Sequence, residues 1–217
     1  MKVKVCGITN IEDALYCIES GADALGFMLC KSSKRYIDIF AAREIIIQLP
    51  PFTMLIGVFV NEKPKIINYI AEELGLNAVQ LHGEETPQVT DEINFPIIKA
   101  FRTNKKFDFS DVERFQGITP MFDADPGNVI MNKLEGVKVK SSFGGTGKTF
   151  DWNIIPEVYR RHSIIAGGIG INNIEKLINE INPAAIDLSS SLEAKPGIKD
   201  HTKVKAFFEK LAELKSK

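Results

Sequence analysis

Short runs rich in β-branched and aromatic residues alternate with longer amphipathic runs along the whole chain. KVKVC (2–6) precedes the helix-patterned NIEDALYCIESG, ALGFM (24–28) precedes IFAAREIIIQL, and MLIGVFV (54–60) precedes KPKIINYIAEELG. AVQLH (78–82) leads to TPQVTDEIN, PIIKAF (96–101) to FDFSDVERF, and PMFDA (120–124) to a long irregular stretch and then DWNIIPEVYRR. SIIAGG (163–168) is followed by NNIEKLINEI and AIDLSS (185–190) by HTKVKAFFEKLAEL. Eight strand-then-helix units in strict alternation predict a parallel sheet with helical crossovers, and eight is the number that closes a (β/α)8 TIM barrel. The rival is an open doubly wound sheet. It usually has fewer strands and a glycine-rich turn after the first, whereas this first strand ends in Cys6-Gly7-Ile8-Thr9, which lacks that fingerprint. The expectation is one α/β barrel domain over residues 1–217. Its one long irregular loop, about 125–150, is a candidate lid.

Alternation within each strand predicts which side chains line the barrel. Neighbouring residues of a strand point to opposite faces, and the face that meets the helices must be apolar. Val3 and Val5 on the helix side put Lys4 and Cys6 inside; Val79 and Leu81 put Gln80 and His82 inside. Phe122 puts Asp123 inside, Ile186 and Leu188 leave Asp187 and Ser189 inside, and strand 96–101 is expected to turn Lys99 inward. Inward polar groups are costly unless paired or solvated. Cys6, His82, Asp123 and Ser189 lie at the carboxyl ends of their strands, the end that carries the active site in this fold. A bland alternative applies most to Lys4 and Lys99: inward lysines and aspartates can simply form ion pairs that fill the lumen.

Composition then narrows the functional classes. The chain has 217 residues, 44% hydrophobic and 25% charged, with a net charge of −1. That is ordinary for a globular protein, and it argues against nonspecific binding to nucleic acid or to an anionic membrane. No stretch approaches a membrane-spanning length, and the N-terminus is too charged for a signal peptide. Three cysteines, Cys6, Cys17 and Cys30, fit neither a disulfide framework nor a zinc spacing. A reducing, cytoplasmic setting follows as the expectation.

Two loops carry phosphate-binding chemistry. The seventh strand runs into Gly167-Gly168-Ile169-Gly170 and a helix opened by Asn172-Asn173; the eighth ends in Ser189-Ser190-Ser191. Glycines allow close backbone approach to an anion, and barrels of this class often hold phosphate between these two loops. Residues 144–149, GGTGKT, imitate a nucleotide P-loop, but the pattern needs a glycine where Ser142 stands, and no strand precedes it. The run reads better as the end of the lid, with Lys148 reaching an anion.

Several runs resemble one family. Lys4-Val5-Cys6-Gly7-Ile8-Thr9, Ser33-Lys34-Arg35-Tyr36-Ile37, Gly57-Val58-Phe59-Val60-Asn61, Val79-Gln80-Leu81-His82-Gly83-Glu84, GGTGKTFDW (144–152), Ala166-Gly167-Gly168 and Asp187-Leu188-Ser189-Ser190 are similar, in order, to the phosphoribosylanthranilate isomerases of tryptophan biosynthesis. The resemblance implies an Amadori rearrangement of N-(5-phosphoribosyl)anthranilate, with Cys6 in the general-base position and Asp123 in the general-acid position. It implies Arg35 on the anthranilate carboxylate, Asp187 on the amine or sugar, and phosphate near Gly168 and Ser189–Ser190, with Gln80, His82 and Gly167 in the same site. It implies no metal and no cofactor, a small-molecule partner, and a monomer or weak homodimer. Two features depart from the family pattern: the loop from Asp125 to Gly144 is long, and Ser191 stands where glycine is common.

The rivals differ in the residues they need. The histidine-pathway isomerase performs the same rearrangement but, as its family pattern implies, places carboxylates in both catalytic roles; Cys6 speaks against it. Indole-glycerol-phosphate synthase carries an additional N-terminal segment. A noncatalytic phospho-ligand binder has no use for both Cys6 and Asp123. Cys17, inside the first helix pattern, reads as core, and Trp152 as packing.

Overall fold

The computed structural model describes residues 1–125 and 149–216. The candidate lid and Lys148 therefore lie outside the described residues, apart from the lid's two ends.

Eight parallel strands close into a barrel in sequence order: β1 (Lys2–Cys6), β2 (Ala24–Met28), β3 (Met54–Phe59), β4 (Ala78–Leu81), β5 (Ile97–Thr103), β6 (Ile118–Ala124), β7 (Ile164–Ile165) and β8 (Ala185–Leu188). β1 pairs with β2 and β8, placing Lys4 beside Ala24 on one side and beside Asp187 on the other. The crossovers are α1 (Ile11–Ser20), α2 (Ile39–Ile46), α3 (Pro64–Glu73), α4 (Pro87–Asp91), α5 (Ser110–Glu113), α6 (Glu157–Arg160) and α7 (Ile174–Glu180), and α8 (His201–Lys215) follows the last strand. Local chemistry starts these helices where the sequence suggests. Asn10, Asp38 and Asp200 accept hydrogen bonds from first-turn backbone N–H groups, and Pro64 and Pro87 occupy first turns where their missing N–H costs nothing.

The alternation expected from the sequence holds in β1, β4, β6 and β8, and β2 follows the same rule. Val3, Val5, Leu25, Phe27, Val79, Leu81, Phe122, Ile186 and Leu188 pack outward against the helices. A second apolar cluster fills the lumen: Ala24, Ile56, Ala78, Ile98, Ala100, Met121, Ile164 and Ala166.

β5 corrects the expectation for Lys99. Ile98 and Ala100 face the lumen, so Lys99 shares the helix-facing side with Ile97 and Phe101. Its buried ammonium donates to Gly83 O at 2.9 Å and Glu85 Oε2 at 2.8 Å, 5.8 Å from the Phe101 ring centre. Burial pulls the Lys99 amine below its ordinary range, and the Glu85 carboxylate opposes that pull. Glu85 also accepts from Asn61 N at 2.8 Å, so Lys99 braces the loops after β3 and β4. The same parity places Arg102 on the lumen side, beside Asp123 in register.

The predicted fourth and fifth helices shrink to single turns. Around the fifth, Phe107, Phe109 and Phe115 turn onto Phe101 and Phe122 in tilted and edge-on ring contacts. Burying these rings favours an irregular path over a longer helix. Between β8 and α8, a 3-10 turn (Ser190–Leu192) leads into an antiparallel hairpin, β9 (Glu193–Lys195) with β10 (Ile198–Lys199), which the alternation pattern does not anticipate.

Candidate active site

The carboxyl ends of the strands surround one pocket lined by Cys6, Met28, Arg35, Gln80, His82, Asp123, Gly167, Gly168, Asp187 and Ser189 to Ser191, with Ala166 and Ile169. Cys6, Arg35, Gln80, His82, Asp123, Gly167, Gly168, Asp187, Ser189 and Ser190, the site residues the family resemblance implies within the described part of the chain, all lie on this wall, whereas Lys99 does not.

On the β1 and β8 side, the Lys4 ammonium donates to Asp187 Oδ1 at 3.0 Å, with both side chains buried. Gly26 on β2 makes the space: a Cβ there would stand 2.7 Å from Cys6 Sγ and 3.0 Å from Lys4 Nζ. Burial pushes the Cys6 thiol up, with the Lys4 cation pulling against it. Burial alone would lower Lys4, but Asp187 and the Cys6 sulfur outweigh it and hold the ammonium above its usual range. Asp187 is pushed up by burial, against the pull of Lys4.

On the opposite wall, Gln80 Nε2 donates to His82 Nδ1 at 2.9 Å, and His82 Nε2 lies 3.1 Å from Asp123 Oδ2. With the Gln80 amide nitrogen toward Nδ1, that atom accepts, and Nε2 carries the proton donated to Asp123. The chain holds the Asp123 carboxyl by one oxygen. The other oxygen faces Gly167, where a Cβ would come within 2.8 Å of Asp123 Oδ1 and 2.5 Å of the Ala124 backbone N. Gly167 also has φ +83°, so glycine there serves the seating of Asp123 as well as any anion.

The two loops assigned to phosphate chemistry meet. A Cβ on Gly170 would lie 3.4 Å from Ser191 Cβ. Asn173 ties the first loop down, its amide donating to Gly168 O at 2.9 Å and its carbonyl accepting from Gly170 N at 2.9 Å. Among the described residues the buried Ser191 hydroxyl has no hydrogen-bond partner.

Arg35 also reaches the pocket, and its guanidinium is held by a residue the sequence reading passed over. Nε and Nη2 donate to the two carboxylate oxygens of Glu193, both at 2.7 Å. Glu193 in turn accepts from Lys199 Nζ at 3.2 Å, and Lys199 donates to the backbone carbonyl of Cys6 at 2.7 Å. Burial pushes Glu193 up, but the Arg35 and Lys199 cations outweigh it and hold the carboxyl below its ordinary range. The hydrogen bond to Glu193 raises Arg35 further. The signal for this hairpin was in the sequence: Pro196-Gly197 is a turn dipeptide between two short extended runs.

Cys17 is fully buried in the outer core and burial pushes its thiol up to about 12, while Cys30 is half-buried at the rim. Among the described residues, no group of three or more His, Cys, Asp or Glu side chains is arranged to hold a metal ion, and no helix is long and apolar enough to cross a membrane.

A family model described as N-(5'-phosphoribosyl)anthranilate (PRA) isomerase matches residues 3–210. An N-(5'-phosphoribosyl)anthranilate isomerase from Thermotoga neapolitana is 40% identical over 215 residues, covering 97% of this chain and 98% of its own. The crystal structure of the phosphoribosyl anthranilate isomerase of Thermus thermophilus superposes with a TM-score of 0.85 at 34% identity, covering 99% of this chain and 100% of its own. A phosphoribosyl anthranilate isomerase in complex with reduced 1-(o-carboxyphenylamino)-1-deoxyribulose 5-phosphate superposes with a TM-score of 0.80 at 38% identity, covering 98% and 99%. With the match running through nearly the whole barrel, the chain is an isomerase and belongs to the N-(5'-phosphoribosyl)anthranilate isomerase family.

Proposed function

We propose that the enzyme converts N-(5-phosphoribosyl)anthranilate into 1-(2-carboxyphenylamino)-1-deoxyribulose 5-phosphate, with Asp123 as general acid and Cys6 as general base. The observation that carries this reading is the meeting of Cys6, Asp123, Asp187, Arg35 and the two small-residue loops in one pocket at the strand ends.

The steps follow from the atoms on the walls. Protonated Asp123 delivers its proton to the furanose ring oxygen as the C1'–O bond breaks and the amine lone pair forms a C1'=N bond. His82 occupies Oδ2 as a donor, so Oδ1, beside Gly167, is the oxygen that carries the proton. The iminium acidifies C2', and the Cys6 thiolate removes that proton; the freed electrons form C1'=C2' and neutralise the nitrogen. The resulting enolamine becomes the ketone as a proton arrives at C1' and one leaves the C2' hydroxyl. A buried thiol resists ionisation, and the Lys4 ammonium supplies the positive potential that favours the thiolate.

Binding divides among the remaining groups. Arg35 takes the aromatic carboxylate by a charge-assisted bond, Asp187 the amine or a sugar hydroxyl, and Gly168, Ser189 and Ser190 the phosphate. Gln80 and His82 line the site and hold Asp123.

Fluorescence-monitored turnover of freshly generated phosphoribosylanthranilate tests the reading, with wild type, Cys6→Ser and Asp123→Asn side by side. Turnover by wild type and severe slowing in both folded variants supports it. Turnover surviving either substitution removes that residue from its role.

A further inference from the structure

The Arg35–Glu193–Lys199 assembly is a buried charge cluster that the acid–base steps leave unused. Its centre is one carboxylate. Glu193 is 6% exposed, and its oxygens take Nε and Nη2 of Arg35, both at 2.7 Å, together with Lys199 Nζ at 3.2 Å and Gly197 N at 3.3 Å. The Arg35 stem runs across Gly7, where a Cβ would lie 2.6 Å from Arg35 Cδ; Gly7 follows Cys6 directly. Lys199 closes the circuit on the Cys6 carbonyl at 2.7 Å. A single anion therefore sets both the guanidinium and the main chain that bears the thiol.

We propose that Glu193 is a positioning residue that aims the guanidinium of Arg35 and thereby sets the site's selectivity for an aromatic amine bearing a carboxylate. The proposal rests on the reading of Arg35 given above. Guanidinium has five N–H donors in a rigid plane. Glu193 engages the Nε edge side-on, which leaves the end-on pair, an Nη1 hydrogen and the second Nη2 hydrogen, in the geometry for a second carboxylate. The pocket also contains Asp123 and Asp187. An untethered guanidinium would turn toward one of these and be lost to the ligand.

A purely structural role is the competing account, and the hairpin argues against it by having fasteners of its own. Thr9 donates its hydroxyl to Gly197 O, Lys199 N donates to Asp13 Oδ2 at 2.7 Å, and Lys203 Nζ donates to the Glu193 backbone carbonyl at 2.8 Å. None of these uses the Glu193 carboxylate.

The test compares two stable ligands by calorimetry: the reduced product, 1-(2-carboxyphenylamino)-1-deoxyribitol 5-phosphate, and its counterpart lacking the carboxyl group. Wild type should prefer the first by on the order of a hundredfold, the range of one charge-assisted bond, and Arg35→Met should abolish the preference. Glu193→Gln, and Glu193→Asp as the variant that keeps the charge and the fold but withdraws the carboxylate, should cut the preference to under about tenfold. Their affinity for the carboxyl-free ligand should stay within about threefold of wild type, and Arg35→Met/Glu193→Gln should match Arg35→Met alone. Wild-type selectivity in folded Glu193 variants, with Arg35→Met unselective, overturns the role of Glu193 and leaves Arg35 in place. Equal weakening of both ligands, or losses that add in the double variant, makes Glu193 a structural residue and overturns the proposal. A wild type indifferent to the carboxyl group overturns the Arg35 reading itself.

Discussion

The lower and upper halves of the barrel lumen are built on the same strands, with the same alternation, from opposite chemistry. Below, Ile56, Ala78, Ile98, Met121 and Ile164 form an apolar plug. Two residues further along, β4 and β6 present Gln80 and Asp123, with His82 two residues beyond Gln80; β1 and β8 place Lys4, Cys6 and Asp187 on the same inward face. Close packing of branched side chains needs no partners beyond shape, so the plug supplies stability. The upper wall is polar, and its groups are held in pairs: Lys4 to Asp187 and Arg35 to Glu193 as ion pairs, and the His82 imidazole to Asp123 by a hydrogen bond. Buried charges of this kind add little to stability over an apolar substitute but hold donors and acceptors at fixed positions. The difference shows one fold separating the work of staying folded from the work of reacting by a step of two residues.

Substitutions above and below should therefore fail in different currencies. The largest expected effect is at the top: Asp123→Asn should lower kcat by roughly a thousandfold, in the range of a general acid, with the melting temperature nearly unchanged. Steady-state turnover and a calorimetric melt on the same preparation read both. Next is Met121→Ala in the plug, which leaves a cavity under a fully buried side chain and should cost about 2–5 kcal/mol of stability by denaturant unfolding while kcat of the folded enzyme holds. A Met121→Ala enzyme of native stability and crippled kcat would erase the distinction between the halves.

The acid–base wall sharpens the comparison through pH. Burial raises the Cys6 thiol, so its thiolate forms only on the alkaline side of the ordinary thiol range near about 8.5. Alkylation of Cys6 by iodoacetamide, followed by mass spectrometry in a Cys30→Ser background, should be slow at neutral pH and climb above that range. Lys4→Met removes the cation that opposes burial, so the profile should move further alkaline; an unmoved profile would end the case for Lys4 as the source of positive potential. The smallest expected effect belongs to Ser191→Ala. The Ser191 hydroxyl is buried and without a partner among the described residues, at the junction of the two small-residue loops. Its loss should raise KM for the phosphorylated substrate by about threefold, the scale of one neutral hydrogen bond.

Most of this organisation was legible because alternation is cheap to read where it is clean. Val3, Val5, Val79, Leu81, Ile186 and Leu188 mark the helix side without ambiguity, and their neighbours Lys4, Cys6, Gln80, His82 and Asp187 fall inward as a consequence. β5 fails the same test because IIKAFRT has no alternation to read. A lysine there can satisfy either face: its ammonium lies 5.8 Å from the Phe101 ring centre and finds Glu85 at 2.8 Å. Misplacing Lys99 hid Arg102, which has the lumen parity. Glu193 and Lys199 were missed for another reason. Their importance comes from partners more than 150 residues away in sequence, Arg35 and Cys6, and no local period encodes that meeting.

The bond from Lys199 to the Cys6 carbonyl, together with the pairing of β1 with β8, also has a temporal meaning. Ribosomes deliver the thiol nearly two hundred residues before its clamp. Domains generally take shape from the N-terminus during synthesis, but here the opening strand has only one neighbour until the eighth emerges. The pocket wall around Cys6 therefore closes only once both the eighth strand and Lys199 have emerged, long after the thiol itself.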